Sequence, residues 1–244
     1  LVLGVLIFLT NGMAQQTLDR SVRPGPQAVP KLTLPRIQKT TLKNGVAVWL
    51  VEQHKLPTVA LNMVVQAGAD HDPVTMPGVA TMTAEVLDAG TTSLDALQIA
   101  DKLDFIGAAM TVRALVDGTF IMLNTLSKHL DDALAVYADV ITHPTFPQKE
   151  FDRLKRQRLT SLLQQKDRAS TIATLAFNHI IYGEGHPYGN DPSGTEKSIT
   201  ALTREHLLGF YNDYYRPNNA TLIIVGDVTL EDVVARLERA FTDW

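Results

Sequence analysis

The sequence predicts an α+β fold in which helices pack on one face of a mostly antiparallel sheet. Two hairpin signals support this prediction, because Asn44-Gly45 and Asp117-Gly118 each separate two segments with alternating apolar residues. A third observation is the order of elements along the 244-residue chain, which runs strands, helices, hairpin, helices, strand, helix. Grouped strands and helices of this kind are typical of an α+β domain.

The first part of the chain is predicted to begin with strands. The first hairpin covers residues 38–53, and a further strand covers residues 58–68. A loop that contains Asp70, His71 and Asp72 separates this strand from the first helix.

A helix is predicted over residues 77–91. Pro77 and Gly78 mark its start, and Gly90 supplies the left-handed residue that commonly ends a helix. Its apolar residues recur at helical spacing, at Val79, Met82 and Val86.

The next helix is predicted to begin after the polar residues Thr92, Ser93 and Asp95, which can cap it. One face of this helix is expected to be apolar and buried. The residues predicted on that face are Leu94, Leu97, Ala100, Leu103 and Phe105 or Ile106.

The remaining elements alternate between polar and apolar segments. The sequence predicts a hairpin over 109–126, helices over 130–141, 147–168 and 169–183, a loop over 184–195, a helix over 203–215, a strand over 220–228 and a last helix over 230–241. The helix over 130–141 is expected to stop at His143-Pro144, because the residue before a proline disfavours helical geometry.

Composition excludes several classes of function. The net charge is −4, and no long Lys/Arg run gives the electrostatic footprint of a nucleic-acid-binding protein. The sequence contains no cysteine, which excludes a disulfide framework, a thiolate metal site and a thiol nucleophile. Any metal site would therefore need His, Asp and Glu ligands.

The first 37 residues are predicted to lie outside the folded domain. Residues 1–10 form an apolar run too short to span a bilayer, and Ala14 is placed to precede a cleavage site. We interpret residues 1–14 as the remnant of a signal peptide, which predicts a periplasmic or secreted protein; a core strand or an uncleaved anchor are the alternatives. Residues 15–37 are a Pro-rich extended lead-in, and the domain is predicted over 38–244.

Four ordered motifs give the domain a family resemblance. They are the hairpin KNGVAVWLVEQHKLPTVALNMVVQAGADHD, the PGVA helix that ends in GT, the loop HPYGNDPSGTEKSI and the block YNDYYRPNNATLIIVGDV. Together they resemble the pitrilysin/insulinase family of zinc peptidases, from about residue 39 to residue 244. The resemblance implies a pitrilysin-type, mitochondrial-processing-peptidase-like half, the first of two similar halves that close around an unfolded peptide. The second, C-terminal half is expected outside this sequence.

In that family the zinc helix carries the motif H-x-x-E-H, whose two histidines bind zinc from one helix face while the glutamate activates water. The alignment of PGVA-TMTAE-VLDAGT with this motif places Thr81 and Glu85 at the histidine positions and Ala84 at the position of the base. The third ligand of the family, a Glu about 76 residues further on, falls on Ser161 or Leu162. The resemblance therefore predicts that zinc is lost and that none of these residues is catalytic.

Histidines offer little support for a metal elsewhere. The seven are His54, His71, His129, His143, His179, His186 and His206, and no two are spaced i,i+4 on a predicted helix. His71 between Asp70 and Asp72 is interpreted as a solvated loop. His179, Glu184 and His186 are close in sequence, but His186 belongs to the loop pattern.

Three further clusters are given structural interpretations. In Ser193-Gly194-Thr195-Glu196, Thr195 is read as a helix cap rather than as part of a nucleophile loop. An aromatic and cationic cluster is expected to pack between helix and sheet, and a basic run is expected to form the solvated face of a helix. The first comprises Tyr211, Tyr214, Tyr215 and Arg216, and the second comprises Arg153, Lys155, Arg156 and Arg158.

The leading hypothesis is a catalytically silent subunit or half of a periplasmic pitrilysin-type zinc peptidase. It would pair, as in a heterodimer, with an active zinc-bearing subunit that has an intact H-x-x-E-H helix, and would contribute surface for a peptide or unfolded polypeptide. The edge strand of the sheet could hold such a substrate by β-augmentation. Two alternatives are an active zinc endopeptidase with unconventional ligands and a non-enzymatic structural or peptide-binding protein that resembles respiratory-complex core subunits.

Overall fold

The two predicted hairpins form the two ends of a six-stranded sheet in the computed structural model, which describes residues 34–183 and 185–244. The strands are β1 (Gln38–Thr41), β2 (Ala47–Glu52), β3 (Thr58–Val65), β4 (Ala109–Ala114), β5 (Thr119–Leu126) and β6 (Ala220–Gly226). Their order across the sheet is β1-β2-β6-β3-β5-β4. Only the β2–β6 pair is parallel, which confirms the mostly antiparallel sheet. The proposed signal-peptide remnant and most of the lead-in lie outside the described residues.

Eight α-helices are found in the described part of the chain. They are α1 (Val79–Leu87), α2 (Ala96–Phe105), α3 (Leu130–Thr142), α4 (Gln148–Gln165), α5 (Ala169–Tyr182), α6 (Glu196–Ala201), α7 (Arg204–Tyr214) and α8 (Leu230–Ala240). Residues 35–244 make up one compact unit. None of these helices has the combined length and apolar content that a membrane crossing requires.

The helices cover one face of the sheet because the strands alternate. Along β3, Val59, Leu61, Met63 and Val65 are buried under the helices, while the residues between them face the other side. Tyr137 joins α3 to the sheet, since its hydroxyl donates to the Ile121 carbonyl at 2.6 Å and accepts from the Met63 N–H at 3.0 Å.

The opposite face of the sheet carries a mixed apolar and polar surface. The strand register places one row of residues across all six strands of this open face: Lys39, Trp49, Ile223, Asn62, Met122 and Thr111. The Lys39 ammonium lies 4.0 Å from the centre of the Trp49 ring, a cation–π contact.

The predicted end of the first helix was wrong. Helix α1 ends at Leu87, and Gly90 does not terminate it. Instead, the Gly90 carbonyl accepts hydrogen bonds from the Thr145 N–H and hydroxyl. The residues after α1 therefore form a tertiary contact and do not continue the helix.

The predicted buried face of α2 was also wrong in part. Leu97 and Phe105 are 69% and 92% exposed, and the buried residues are Ile99 and Leu103. The helix begins after Asp95, which forms a capping box with Gln98. Positions 99 and 103, one helical turn apart, face the core.

Candidate functional site

Helix α1 is fixed at its start by Asp72. The two oxygens of this carboxylate accept the Gly78 N–H at 2.6 Å and the Ala80 N–H at 2.7 Å. Burial raises the pKa of Asp72 to about 6, although the two N–H donors oppose the shift. The interpretation of the Asp70–His71–Asp72 triplet as a solvated loop was therefore wrong for Asp72, whose side chain caps a helix.

The loop before α6 lies directly over the start of α1. Gly78 has a φ of +99°, and a Cβ at this position would lie 2.8 Å from Ile199 Cδ1 and 2.9 Å from Gly194 Cα. The Ser198 hydroxyl donates to the Pro77 carbonyl at 2.7 Å. Thr195 caps α6 through a reciprocal capping box with Ser198, which confirms its structural interpretation.

The three positions that the family resemblance assigns to zinc chemistry lie on α1, where it packs against α4, α7 and β4. The Thr81 hydroxyl donates to the Pro192 carbonyl at 2.7 Å, so it is engaged by the loop before α6. Ala84 is buried and contributes no donor atom. Glu85 forms an ion pair with Arg158 of α4.

The Glu85–Arg158 pair is half sheltered from solvent, with the two side chains 36% and 12% exposed. Burial raises the pKa of Glu85, and the Arg158 charge opposes this shift. The pair therefore places a protein cation on the Glu85 carboxylate and connects α1 to α4.

Arg158 is a residue of the candidate site that the sequence interpretation missed, because it was assigned with Arg153, Lys155 and Arg156 to a solvated helix face. That assignment was wrong for Lys155 as well, whose ammonium donates to the Thr200 and Leu202 carbonyls at 2.8 and 2.7 Å. Helical spacing could have identified Arg158, since it lies four residues after Leu154 and four before the buried Leu162.

The structure distinguishes between the two candidate positions for the third ligand. Ser161 lines a cavity of about 410 Å³ together with Ala84, Glu85 and Arg158. Leu162 is a buried residue of the core and does not line this cavity. Position 161 is therefore the one that faces α1, and it offers a hydroxyl in place of a carboxylate.

These side chains do not fit a catalytic zinc ion. Such an ion takes three protein ligands, usually imidazole, thiolate or carboxylate. The positions here supply one carboxylate already paired with Arg158, two hydroxyls and a methyl group. Among the described residues, no group of three or more His, Asp or Glu side chains is placed to hold a metal ion.

The histidines His71 and His186 of the two sequence clusters have local partners. The His71 Nδ1 lies 2.7 Å from the Asp70 carboxylate, and its ring packs edge-on against Tyr214. His186 Nδ1 accepts the Tyr188 N–H at 3.1 Å, within the loop. Glu184, the third residue of that sequence cluster, lies outside the described residues.

The aromatic cluster near the end of α7 packs as expected. Tyr215 is buried and its ring lies 5.1 Å from that of Tyr211. The Tyr211 hydroxyl donates to the Ile141 carbonyl at 2.8 Å, and its ring contacts Phe146. These contacts hold α7 against α3 through Tyr211, while Arg216 at the end of the cluster is exposed.

Two family descriptions match the sequence. Residues 47–186, more than half of the chain, match "Insulinase (Peptidase family M16)". Residues 201–244 match "Peptidase M16 inactive domain".

Individual proteins show the same similarity. The chain is 26% identical over 201 residues to an uncharacterized zinc protease of Rickettsia felis, a match that covers 82% of this chain and 48% of the relative. It is 30% identical to the solved peptidase M16 inactive domain from Pseudomonas fluorescens, with a TM-score of 0.81 over 85% of this chain and 50% of that one. The periplasmic protease PqqL of Escherichia coli shares the fold, with a TM-score of 0.77 at 18% identity over 88% of this chain and 24% of that one. The chain thus spans about half the length of the first two proteins and less of the third.

Proposed function

Since the chain belongs to the insulinase family of peptidases, family M16, we propose that it is a catalytically silent subunit or half of a pitrilysin-type zinc peptidase. The observation that carries the proposal is the Glu85–Arg158 ion pair at the position of the family's zinc site. A guanidinium on the one remaining carboxylate satisfies its charge without a metal. The names "inactive domain" of the second matching family description and of the Pseudomonas fluorescens structure agree with this proposal.

In this proposal an active partner supplies the zinc and the H-x-x-E-H helix, and the two units together complete a peptide-binding chamber. Helix α5 supports the existence of a partner. Seven of the nine residues of α1 are buried, whereas none of the fourteen residues of the comparably apolar α5 is. An apolar helix is normally covered on its hydrophobic side, so α5 is suited to an interface.

The ligand of the chamber is proposed to be a peptide or unfolded polypeptide. The open face of the sheet offers apolar side chains such as Trp49 and Ile223, and β4 is an edge strand that pairs only with β5 among the described residues. An unpaired edge can accept an extended chain by β-augmentation.

We place the protein in the periplasm as part of the same proposal. The apolar residues 1–10 followed by Ala14 favour export. The fold is also that of a protease described as periplasmic, PqqL.

Metal analysis and peptidase assays test the proposal. The full-length protein should carry well below one zinc per chain after purification in zinc-containing buffer, and it should not cleave a quenched fluorescent peptide library. Stoichiometric zinc together with chelator-sensitive cleavage would disprove catalytic silence.

An active zinc endopeptidase is the second candidate, because the Rickettsia felis relative is named a zinc protease. In that case Glu85→Gln should abolish cleavage by the chain alone. Under our proposal the chain has no cleavage activity to lose.

Co-purification from the source cells separates the silent subunit from a purely structural or peptide-binding protein. A stable partner with an intact H-x-x-E-H motif is expected for the former. Peptide binding without such a partner would favour the latter.

A further inference from the structure

Asp88, the residue that follows α1, carries a carboxylate that has no counter-ion in the described part of the chain. None of the ion pairs among the described residues includes it. Its position is unfavourable for an anion, because the C-terminus of a helix carries a partial negative charge. Burial adds to this cost and raises the pKa of Asp88.

Asp88 lines two neighbouring cavities. The larger, about 500 Å³, lies between α1, α2, α4 and the start of β4, and it has apolar walls from Ile99, Leu103 and Leu154. The smaller is the cavity of about 410 Å³ that also contains Glu85 and Arg158. The two cavities therefore share an acidic wall.

Two aspartates, Asp88 and Asp104, carry the negative charge of these cavities that the ion pairs leave unbalanced. Glu85 and Arg158 neutralise each other. Arg153, which lines the larger cavity, is paired with Glu150 at 2.7 Å. Asp104 adds a second negative charge at the exposed edge of the larger cavity.

The edge strand β4 connects the cavities to the proposed peptide-binding function. Met110 and Val112 of β4 face the helices, Met110 lining both cavities and Val112 the smaller one. Alternate side chains of a strand lie on one face, about 7 Å apart. A chain that pairs with the free edge of β4 would thus direct every second side chain towards the helix side, where these cavities lie.

We propose that the larger cavity binds the side chain of a lysine or arginine in a polypeptide that pairs with β4, with Asp88 as its counter-charge. The aliphatic part of such a side chain fits walls of Ile99, Leu103 and Leu154, while its charged end reaches the carboxylate. This inference rests on the proposed peptide-binding function and adds a preference for basic residues to it.

Peptide binding to the full chain tests the inference. The probes are fluorescein-labelled nine-residue peptides with blocked ends, identical and uncharged except for a central Lys, norleucine or Glu, and binding is followed by fluorescence anisotropy. The Lys peptide should bind about tenfold more tightly than the norleucine peptide, with the Glu peptide weakest.

In Asp88→Asn the advantage of Lys should disappear while the affinity for the norleucine peptide is unchanged, which also shows that the variant is folded. Asp101→Asn, an exposed aspartate of α2 that lines neither cavity, is the matched control and should keep the advantage.

The outcomes separate the two proposals. Equal affinity for the Lys and norleucine peptides, or a Lys advantage that survives Asp88→Asn, would overturn the role of Asp88 and leave peptide binding intact. No binding of any of the three peptides would overturn the proposed peptide-binding function and this inference with it.

Discussion

Arg158 is the cationic partner of the Glu85 carboxylate. Glu85 has lost most of its hydration, so its charge needs a nearby cation, and the Arg158 guanidinium supplies one. A guanidinium offers several N–H donors in a fixed plane and remains charged at any accessible pH. The pair therefore stabilises the contact between α1 and α4 without requiring an ion from solution.

We predict that Arg158→Met lowers the free energy of unfolding by about 1–2 kcal/mol, because it leaves the partly buried Glu85 carboxylate unpaired. Adding Glu85→Gln to this variant should restore part of the loss, since no unpaired charge then remains. Urea unfolding followed by circular dichroism gives these values. Arg153→Met is the control for removal of a helix-surface arginine and should cost less than about 0.5 kcal/mol. Equal losses for the two arginine variants would contradict the importance of the pair.

Asp72 predicts a dependence of stability on pH. Its pKa is about 6 in the folded protein against an ordinary value of 3.8, so between these values the folded state binds a proton that the unfolded state does not. The contribution of this group to the free energy of unfolding therefore rises as the pH falls through 6 and levels off below about 4, by at most about 3 kcal/mol.

Unfolding experiments on the wild type and Asp72→Asn between pH 4 and 7 measure this contribution. The stability of the wild type relative to the variant should increase towards low pH, because the variant cannot titrate at this position. A difference that stays constant over the range would place the pKa of Asp72 near its ordinary value.

The position of helix α1 depends on Gly78. This residue combines a left-handed φ of +99° with a close approach to Ile199 and Gly194. Gly78→Ala should lower the free energy of unfolding by about 2–4 kcal/mol, since it adds backbone strain and a steric clash. Gly209→Ala in α7 is the matched control, because its Cβ would meet nothing within 4 Å and alanine favours a helix by up to about 1 kcal/mol. Thermal unfolding of both variants decides the point, and a neutral Gly78→Ala would contradict the close contact between α1 and the loop before α6.

Local sequence patterns were sufficient to predict most elements. Asn44-Gly45 and Asp117-Gly118 do form the two hairpin turns, and Thr195 does cap α6. These features involve residues at most a few positions apart, so the sequence itself contains the interacting partners. The prediction that α1 ends at Gly90 was wrong, because the Gly90 carbonyl bonds to Thr145, which lies 55 residues away and outside any local pattern.

The site was less predictable than the fold for the same reason. The sequence suggested the positions of Thr81, Ala84 and Glu85 through a family motif, but Arg158 reaches Glu85 across 73 residues. The sequence does not single out Asp88, because its lack of an ion-pair partner among the described residues is seen only when the surrounding elements are in place. The chemistry of a site formed between elements depends on packing, which short-range patterns do not encode.

In the described part of the molecule, α5 is the helix whose apolar sequence agrees least with its exposed position. Its large apolar side chains contact solvent over most of their surface, as in Ile180, which is 79% exposed. The loop that follows α5 leads to Pro192, whose carbonyl accepts the Thr81 hydroxyl. This loop therefore connects α5 to a residue in the first turn of α1.

We predict that Ile180→Asp separates assembly from folding. Because Ile180 packs against little within the chain, the free energy of unfolding should change by less than about 0.5 kcal/mol. A charge in the middle of an apolar interface should nevertheless prevent association with a partner.

Affinity-tagged wild type isolated from the source cells should retain a protein with an H-x-x-E-H motif, identified by mass spectrometry, and Ile180→Asp should lose it. Phe105→Asp places the same charge on another highly exposed apolar residue, on α2, and should retain the partner. Retention of the partner by Ile180→Asp would show that α5 is not the interface, and equal loss with Phe105→Asp would show that the effect is not specific to α5.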